Sequence, residues 1–181
     1  MPAPLIRPAT GDDIAAITAI YRPAVLAGTA SFELDPPSEA EMLSRYRALV
    51  GGGYPYLVAE GGGAVLGYAY SNAYRPRPAY RYTVEDSVYV APNAQGRGVG
   101  RALLAALIGR ASDAGFRRMV AVIGDSAQHA SIALHRRAGF ISCGTLPAVG
   151  YKFGRWLDVV LMQLPLGEGD DTLPGDLPRV T

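Results

Sequence analysis

The run Gln95-Gly96-Arg97-Gly98-Val99-Gly100 sets three glycines and a guanidinium between an apolar stretch ending near Val90 and a helical pattern starting near Gly100. Glycines there permit a tight turn. The exposed N–H groups at the start of a following helix, together with its dipole, make an anion site that a pyrophosphate fits. Both GxGxxG registers fail, at Arg101 and Leu103, and no Gly-Lys pair exists to build a Walker loop, so nicotinamide and ATP readings lose. Just upstream, Glu85 and Asp86 sit side by side in a β-prone run, residues 82–91. Adjacent strand side chains point to opposite faces, so the two carboxylates are not expected to line one site.

A second concentration of chemistry is the loop Tyr74-Arg75-Pro76-Arg77-Pro78-Ala79-Tyr80-Arg81. Its prolines restrict the backbone and its guanidinium groups can fork onto a carboxylate, as an amino-acid ligand would require. His129 and His135 are six apart and fall on different helix faces, while Cys143 belongs to a later strand. No metal-ligand set follows from that spacing, and no metal is expected.

The elements that must position these groups are legible from periodicity. Residues 5–7 read as a strand; Thr10 then caps a helix with Ile14, Ile17, Ile20 and Tyr21 on one stripe, which Pro23 should bend or end. Ser38 and Glu41 form a capping-box signature for a second helix to about Val50. Residues 56–60 and 64–71 flank three glycines as a hairpin, and 82–91 is a third strand. Leu103, Leu104, Leu107, Ile108 and Ala111 mark a helix that stops at Gly115. Residues 119–123 read as a strand, Ser126 as the cap of a helix ending at Gly139, and 140–145 and 156–164 as the last strands. That order predicts an α/β (α+β) fold, a central twisted mixed sheet of about seven strands flanked by four helices.

The 181 residues, 49% of them hydrophobic, suit one domain over residues 1–165, followed by a flexible acidic tail over 166–181. Glu168, Asp170, Asp171 and Asp176 outweigh Arg179 in that tail, which leaves the rest of the chain basic beneath an overall formal charge of +1. This surplus suits an anionic cofactor and is too small for nucleic acid. Lys152 is the sole lysine among 17 basic residues. The longest apolar stretch, residues 102–108, is far short of the roughly 18 residues of a membrane span. With one cysteine and no signal-like start, a cytoplasmic, reducing location is expected.

The form Gln-x-x-Gly-x-Gly after Val88-Tyr89-Val90 resembles the acetyl-CoA motif of the GNAT superfamily. Gln128-x-x-Ser131-x-x-Leu134-His135-Arg136-Arg137-Ala138-Gly139-Phe140 is similar to that superfamily's Asn-x-x-Ala-x-x-Leu-Tyr-x-x-x-Gly-Phe helix. The phosphinothricin and methionine sulfoximine N-acetyltransferases resemble the chain more closely still, from Ile6 to Leu164. The stretches that match them are Ile6-Arg7-Pro8-Ala9-Thr10, Thr83-Val84-Glu85, Ser87-Val88-Tyr89-Val90, Val120-Ala121-Val122-Ile123-Gly124, Gly150-Tyr151-Lys152 and Trp156-x-Asp158-Val159.

The resemblance implies the GNAT fold and an acetyl-CoA-dependent N-acetyltransferase acting on the α-amine of a small amino-acid-like molecule. Glu85 is then the general base, directly or through a water, and His135 the acid near the sulfur. It further implies acetyl-CoA contacts from Val88, Tyr89, Val90, Gly96, Arg97, Gly98, Val99, Gly100, Arg101 and Gln128, with an N–H at or near Val88 for the oxyanion. Phe32, Arg75, Arg77 and Tyr80 fall on the substrate side, and a homodimer is expected, the aromatic-rich last strands being the candidate surface. Two departures stand out: Gln128 replaces an Asn, and Phe153 replaces a His of the phosphinothricin-detoxifying members, which leaves phosphinothricin, methionine sulfoximine and methionine sulfone all open. A GNAT enzyme for protein N-termini or lysines, and a silent acyl-CoA sensor, are the alternatives.

Overall fold

The computed structural model describes residues 3–175. Seven strands run as β1 Leu5–Pro8, β2 Tyr56–Gly61, β3 Ala64–Ala73, β4 Thr83–Val90, β5 Arg118–Gly124, β6 Ile141–Lys152 and β7 Arg155–Pro165. They make one sheet in the order β1-β2-β3-β4-β5-β7-β6, antiparallel throughout except between β4 and β5. Four helices, α1 Ile14–Leu26, α2 Glu39–Gly51, α3 Val99–Asp113 and α4 His129–Arg137, complete the expected mixed sheet.

Side-chain alternation gives the sheet two different faces. Tyr56, Tyr68, Tyr70 and Tyr89 share one, their rings stacked at 5.0–6.3 Å, and Tyr21 of α1 meets Tyr89 edge-on at 4.9 Å. On the other, α3 lies across β2, β3 and β4 and fully buries Leu103, Leu104 and Leu107. Each buried leucine contributes roughly 1.5–3 kcal/mol.

The helix boundaries carry two corrections. α1 runs past Pro23 to Leu26, because Ile20, Tyr21 and Val25 are buried on both sides of the proline and their packing outweighs the one backbone bond it removes. Ser126 does not cap α4; its hydroxyl donates to Asp158 at 2.8 Å, and Gln128 occupies the cap position. Ser38, by contrast, accepts from the Glu41 N–H at 3.2 Å, as its spacing predicts.

The segment after β7 also differs from the expected flexible tail. Leu166 is buried, Arg118 pairs with Asp170 at 2.7 Å, and Arg117 donates to Thr172 and to the Leu173 carbonyl. An apolar anchor and two arginines thus hold its first residues against the start of β5. Residues 176–181 of the expected tail lie outside the described residues.

β4 and β5 pair only from Thr83–Arg118 to Glu85–Val120, then part. β3 follows β4 to Val90, and β7 follows β5 to Gly124, so each diverging strand is braced on its other edge. The split opens a cleft in the middle of the sheet.

Residues 27–37, between α1 and α2, cover one side of that cleft and are tied down from three elements. The Lys152 ammonium of β6, almost wholly buried, donates to the carbonyls of Gly28 and Ser31 at 2.9 and 2.7 Å. Tyr21 of α1 bonds Ser31 side chain to side chain at 2.7 Å. After β5, Asp125 accepts from Thr29 at 3.0 Å, and the Gln128 amide donates to the same Thr29 hydroxyl at 2.9 Å. Asp125 also accepts from the Ala127 N–H and from Arg155, contacts that hold its carboxyl below the usual range.

Phe32 lies flat against backbone at Gly150: a methyl built there would stand 2.2 Å from its ring. Gly150 does not have a positive φ, so alanine tests the contact without backbone strain. Gly150→Ala is expected to lower the unfolding free energy by about 1–3 kcal/mol through overpacking. Lys152→Met should lower it by a similar ~1–3 kcal/mol, because two charge-assisted bonds are lost. Denaturant unfolding checks both, and unchanged midpoints would mean that the loop yields without cost.

Candidate active site

The split between β4 and β5 widens into a cleft of about 1560 Å³ that reaches both faces of the sheet. Its floor is the edge of β4 from Ser87 to Val90, with Ala121 to Gly124 of β5 opposite. Val88, Tyr89 and Val90 line it, and so do all residues from Gly96 to Arg101.

The glycine turn is built by backbone conformation. Gly96 and Gly98 adopt φ of 71° and 80°, a region that side chains disfavour, and this brings the chain sharply into α3. No side chain caps that helix. The Ala102 N–H donates the first α-helical bond, to the Gly98 carbonyl at 3.0 Å, so the N–H groups of Val99, Gly100 and Arg101 have no partner within the helix. They belong to the cleft lining, where a helix N-terminus favours an anion, and the side chains of Arg97 and Arg101 there are exposed.

Glu85 occupies the last paired position before the strands part. It is half-buried on the tyrosine face, and its carboxyl is pushed up to about 7, first by burial and then by the neighbouring charge of Asp86, against a smaller opposing pull from Arg75. A carboxylate with that midpoint can accept a proton at neutral pH and release it again.

Asp86 projects to the opposite face, as alternation requires, yet it too borders the cleft, because the cleft passes through the sheet. The expectation that the two carboxylates could not line one site is therefore corrected. Asp86 is buried and accepts from His135 Nε2 at 2.9 Å, while Nδ1 of the same ring lies 2.8 Å from the Ser131 carbonyl. The ring of Phe140 closes over the imidazole at 5.0 Å, edge to face. A neutral imidazole donates from one nitrogen, whereas an imidazolium donates from both. Burial disfavours the charged ring, but the bond and charge of Asp86 and the Ser131 carbonyl outweigh it and raise the pKa of His135. Both ring nitrogens are thus committed to protein acceptors.

The sequence reading missed Asp86 as a site residue, although a signal was present. Val84, Val88 and Val90 share its face of β4, and an acid in that apolar row must find a buried partner. Gln128 lines the cleft, but its amide is engaged with Thr29. Phe32 lines it too. Arg75, Arg77 and Tyr80 do not: they stand exposed on the loop joining β3 to β4, where Arg75 lies over the ring of Tyr74 at 4.6 Å and Tyr80 packs edge-on to it at 5.7 Å. Among the described residues no cluster of three or more His, Cys, Asp or Glu is arranged to hold a metal, and no helix is long and apolar enough to cross a membrane.

Comparison with known proteins agrees with this geometry. The sequence pattern of the acetyltransferase (GNAT) family matches residues 16–140. A phosphinothricin N-acetyltransferase of Alcaligenes faecalis is 54% identical over 93% of this chain and 86% of its own length. An L-methionine sulfoximine/L-methionine sulfone acetyltransferase of Pseudomonas paraeruginosa is 48% identical, over 89% of this chain and 94% of its own. Among solved structures, a GNAT superfamily phosphinothricin acetyltransferase from Sinorhizobium meliloti in complex with acetyl-CoA superposes with a TM-score of 0.94 at 52% identity, over 97% of this chain and 95% of the other. With its glycine turn, split sheet and β4 carboxylate, the chain belongs to the GNAT family of acetyltransferases.

Proposed function

We propose that this protein transfers the acetyl group of acetyl-CoA to the α-amine of a small amino-acid-like acceptor of the methionine sulfoximine, methionine sulfone or phosphinothricin class. The observation that carries the reading is Glu85: a half-buried carboxyl poised at about 7, in the same cleft as a glycine turn suited to pyrophosphate. An α-amine of pKa about 7.7–8.0 is mostly protonated at neutral pH and needs such a base. Glu85 takes the amine proton, directly or through one water, as nitrogen bonds to the thioester carbonyl carbon. A β4 N–H at or near Val88 stabilises the oxyanion, and collapse breaks the C–S bond and releases CoA. The imidazolium of His135 offsets the charge that builds on the departing sulfur.

Phe32 forms the wall beside the acceptor side chain. Arg75, Arg77 and Tyr80 receive its carboxylate at the rim, a placement supported by the reach of the Arg75 charge to Glu85. The acidic base and basic rim together complement an amino acid better than a peptide chain. The exposed edge formed by β6 and the β6–β7 turn, with Ile141, Leu146, Val149, Tyr151, Phe153 and Trp156 outward, supports a homodimer. A lone exposed thiol, Cys143, suits the cytoplasm.

Glu85→Gln is expected to lower kcat by about 10²–10⁴-fold with acetyl-CoA affinity kept, and to abolish the rise of kcat/KM through about pH 7. Stability should move the other way. The Glu85 pKa is raised in the fold, so its ionisation favours unfolding above the ordinary value of 4.5. Glu85→Gln should therefore melt higher than the parent at about pH 8 and show no such gain below about pH 4.

CoA release with methionine sulfoximine, methionine sulfone, phosphinothricin, ordinary amino acids, a polyamine and a peptide amine tests the acceptor class. Turnover confined to the first three supports it. Peptide-only turnover, or acetyl-CoA binding without turnover on any amine, overturns it. Sedimentation should give a dimer that Trp156→Glu dissociates; a monomer at every concentration would refute that assembly.

A further inference from the structure

We propose that Asp86 is a positioning residue for the reaction: its carboxylate orients the His135 ring and holds a proton on Nε2, while Ser71 serves the second carboxylate oxygen. The proposal rests on the reading of His135 as part of the acetyl-transfer machinery.

Three observations converge. The Asp86 and His135 side chains are 1% and 5% exposed and in direct contact at 2.9 Å, so the partners meet largely shielded from bulk solvent. The other ring nitrogen is fixed by a carbonyl, which accepts and cannot donate; Nδ1 must therefore carry a proton. Opposite Nε2 stands a carboxylate, which holds a second proton there and makes the ring an imidazolium. Asp86 is the charged group facing the ring from β4; Ser131 belongs to the ring's own helix and Phe140 is apolar.

The third observation concerns two buried oxygens. Among the described residues Asp86 Oδ1 and Ser71 Oγ are buried side-chain atoms with no hydrogen-bond partner. Ser71 of β3 and Asp86 of β4 are register partners, so their side chains leave the sheet on the same face. A carboxylate oxygen can only accept and a hydroxyl can rotate to donate, so each is the other's natural partner, directly or across one bridging water. The assignment then uses every polar atom: Ser71 donates to Oδ1, Nε2–H to Oδ2 and Nδ1–H to the Ser131 carbonyl. The unit spans β3, β4 and α4 and keeps His135 cationic while Glu85, one residue away on the other face, gains and loses its proton.

Nuclear magnetic resonance of ¹⁵N-histidine protein at pH 7.5 tests this without any variant. His135 is expected to show both ring nitrogens protonated; a neutral ring overturns the proposal. In Asp86→Asn the His135 titration midpoint should fall by about one unit or more, and kcat by roughly 10–100-fold, with KM for acetyl-CoA within about twofold. Ser71→Ala leaves the ring contact in place and should cost about fivefold in kcat. An Asp86→Asn enzyme that folds with unchanged kcat and midpoint refutes the role. His135→Gln with undiminished turnover sinks the underlying reading and this role with it. A neutral ring in an enzyme that still requires His135 sinks only the assignment to Asp86.

Discussion

β4 and β5 share backbone hydrogen bonds over three residue pairs and then diverge, and the site exists because of that divergence. Strands that part leave polar backbone groups without sheet partners, each a cost of about 1–3 kcal/mol if it stays both buried and unpaired. The fold tolerates the split because the load is spread: β3 holds β4 along its full length, and β7 holds β5 along all of its own. The open edge remains in contact with solvent or with whatever occupies the cleft. A ligand carrying amide groups can take the place of the missing strand, so the same defect that would weaken an ordinary sheet becomes a means of recognition.

The split also changes what strand alternation does. In a continuous sheet Glu85 and Asp86 would serve separate compartments. Here the cleft opens to both faces and brings both acids to one cavity by different routes. On the tyrosine face burial and then the charge of Asp86 raise the proton affinity of Glu85 against a smaller pull from Arg75. On the α3 and α4 face Asp86 meets an imidazole at 2.9 Å. Two neighbouring carboxylates thereby meet different surroundings, one desolvated beside the tyrosines and one bonded to a buried imidazole.

Much of this was legible in the sequence because it depends on short-range rules. The glycine turn before α3, the Ser38 cap, the glycine hairpin between β2 and β3 and the seven-strand order follow from turn chemistry and periodicity within a few residues. What escaped the reading depends on distant partners. Ser126 looked like a cap until Asp158, 32 positions away, offered a better bond. Pro23 was expected to bend or end α1, yet tertiary packing carried the helix past it to Leu26. Leu166, read as the start of a flexible acidic tail, is an apolar anchor whose burial no local pattern announces. The Asp86–His135 pair spans 49 positions, and Gln128 reaches Thr29 across 99; only the folded sheet brings them together.

The end of β6 joins the cleft wall at Phe32 to the outer edge of the sheet. Along this strand Gly150 and Lys152 face inward, the first touching Phe32 and the second holding the carbonyls of Gly28 and Ser31. Val149 and Tyr151 alternate outward and are more than half exposed. Burial lowers the Lys152 pKa, so holding the ammonium there carries a desolvation cost. An ammonium reaches two carbonyls that diverge in direction, which no apolar side chain of that length can do. Phe32 and the outward residues of β6 thus lie on opposite sides of one strand, and no outward residue of β6 lines the cleft.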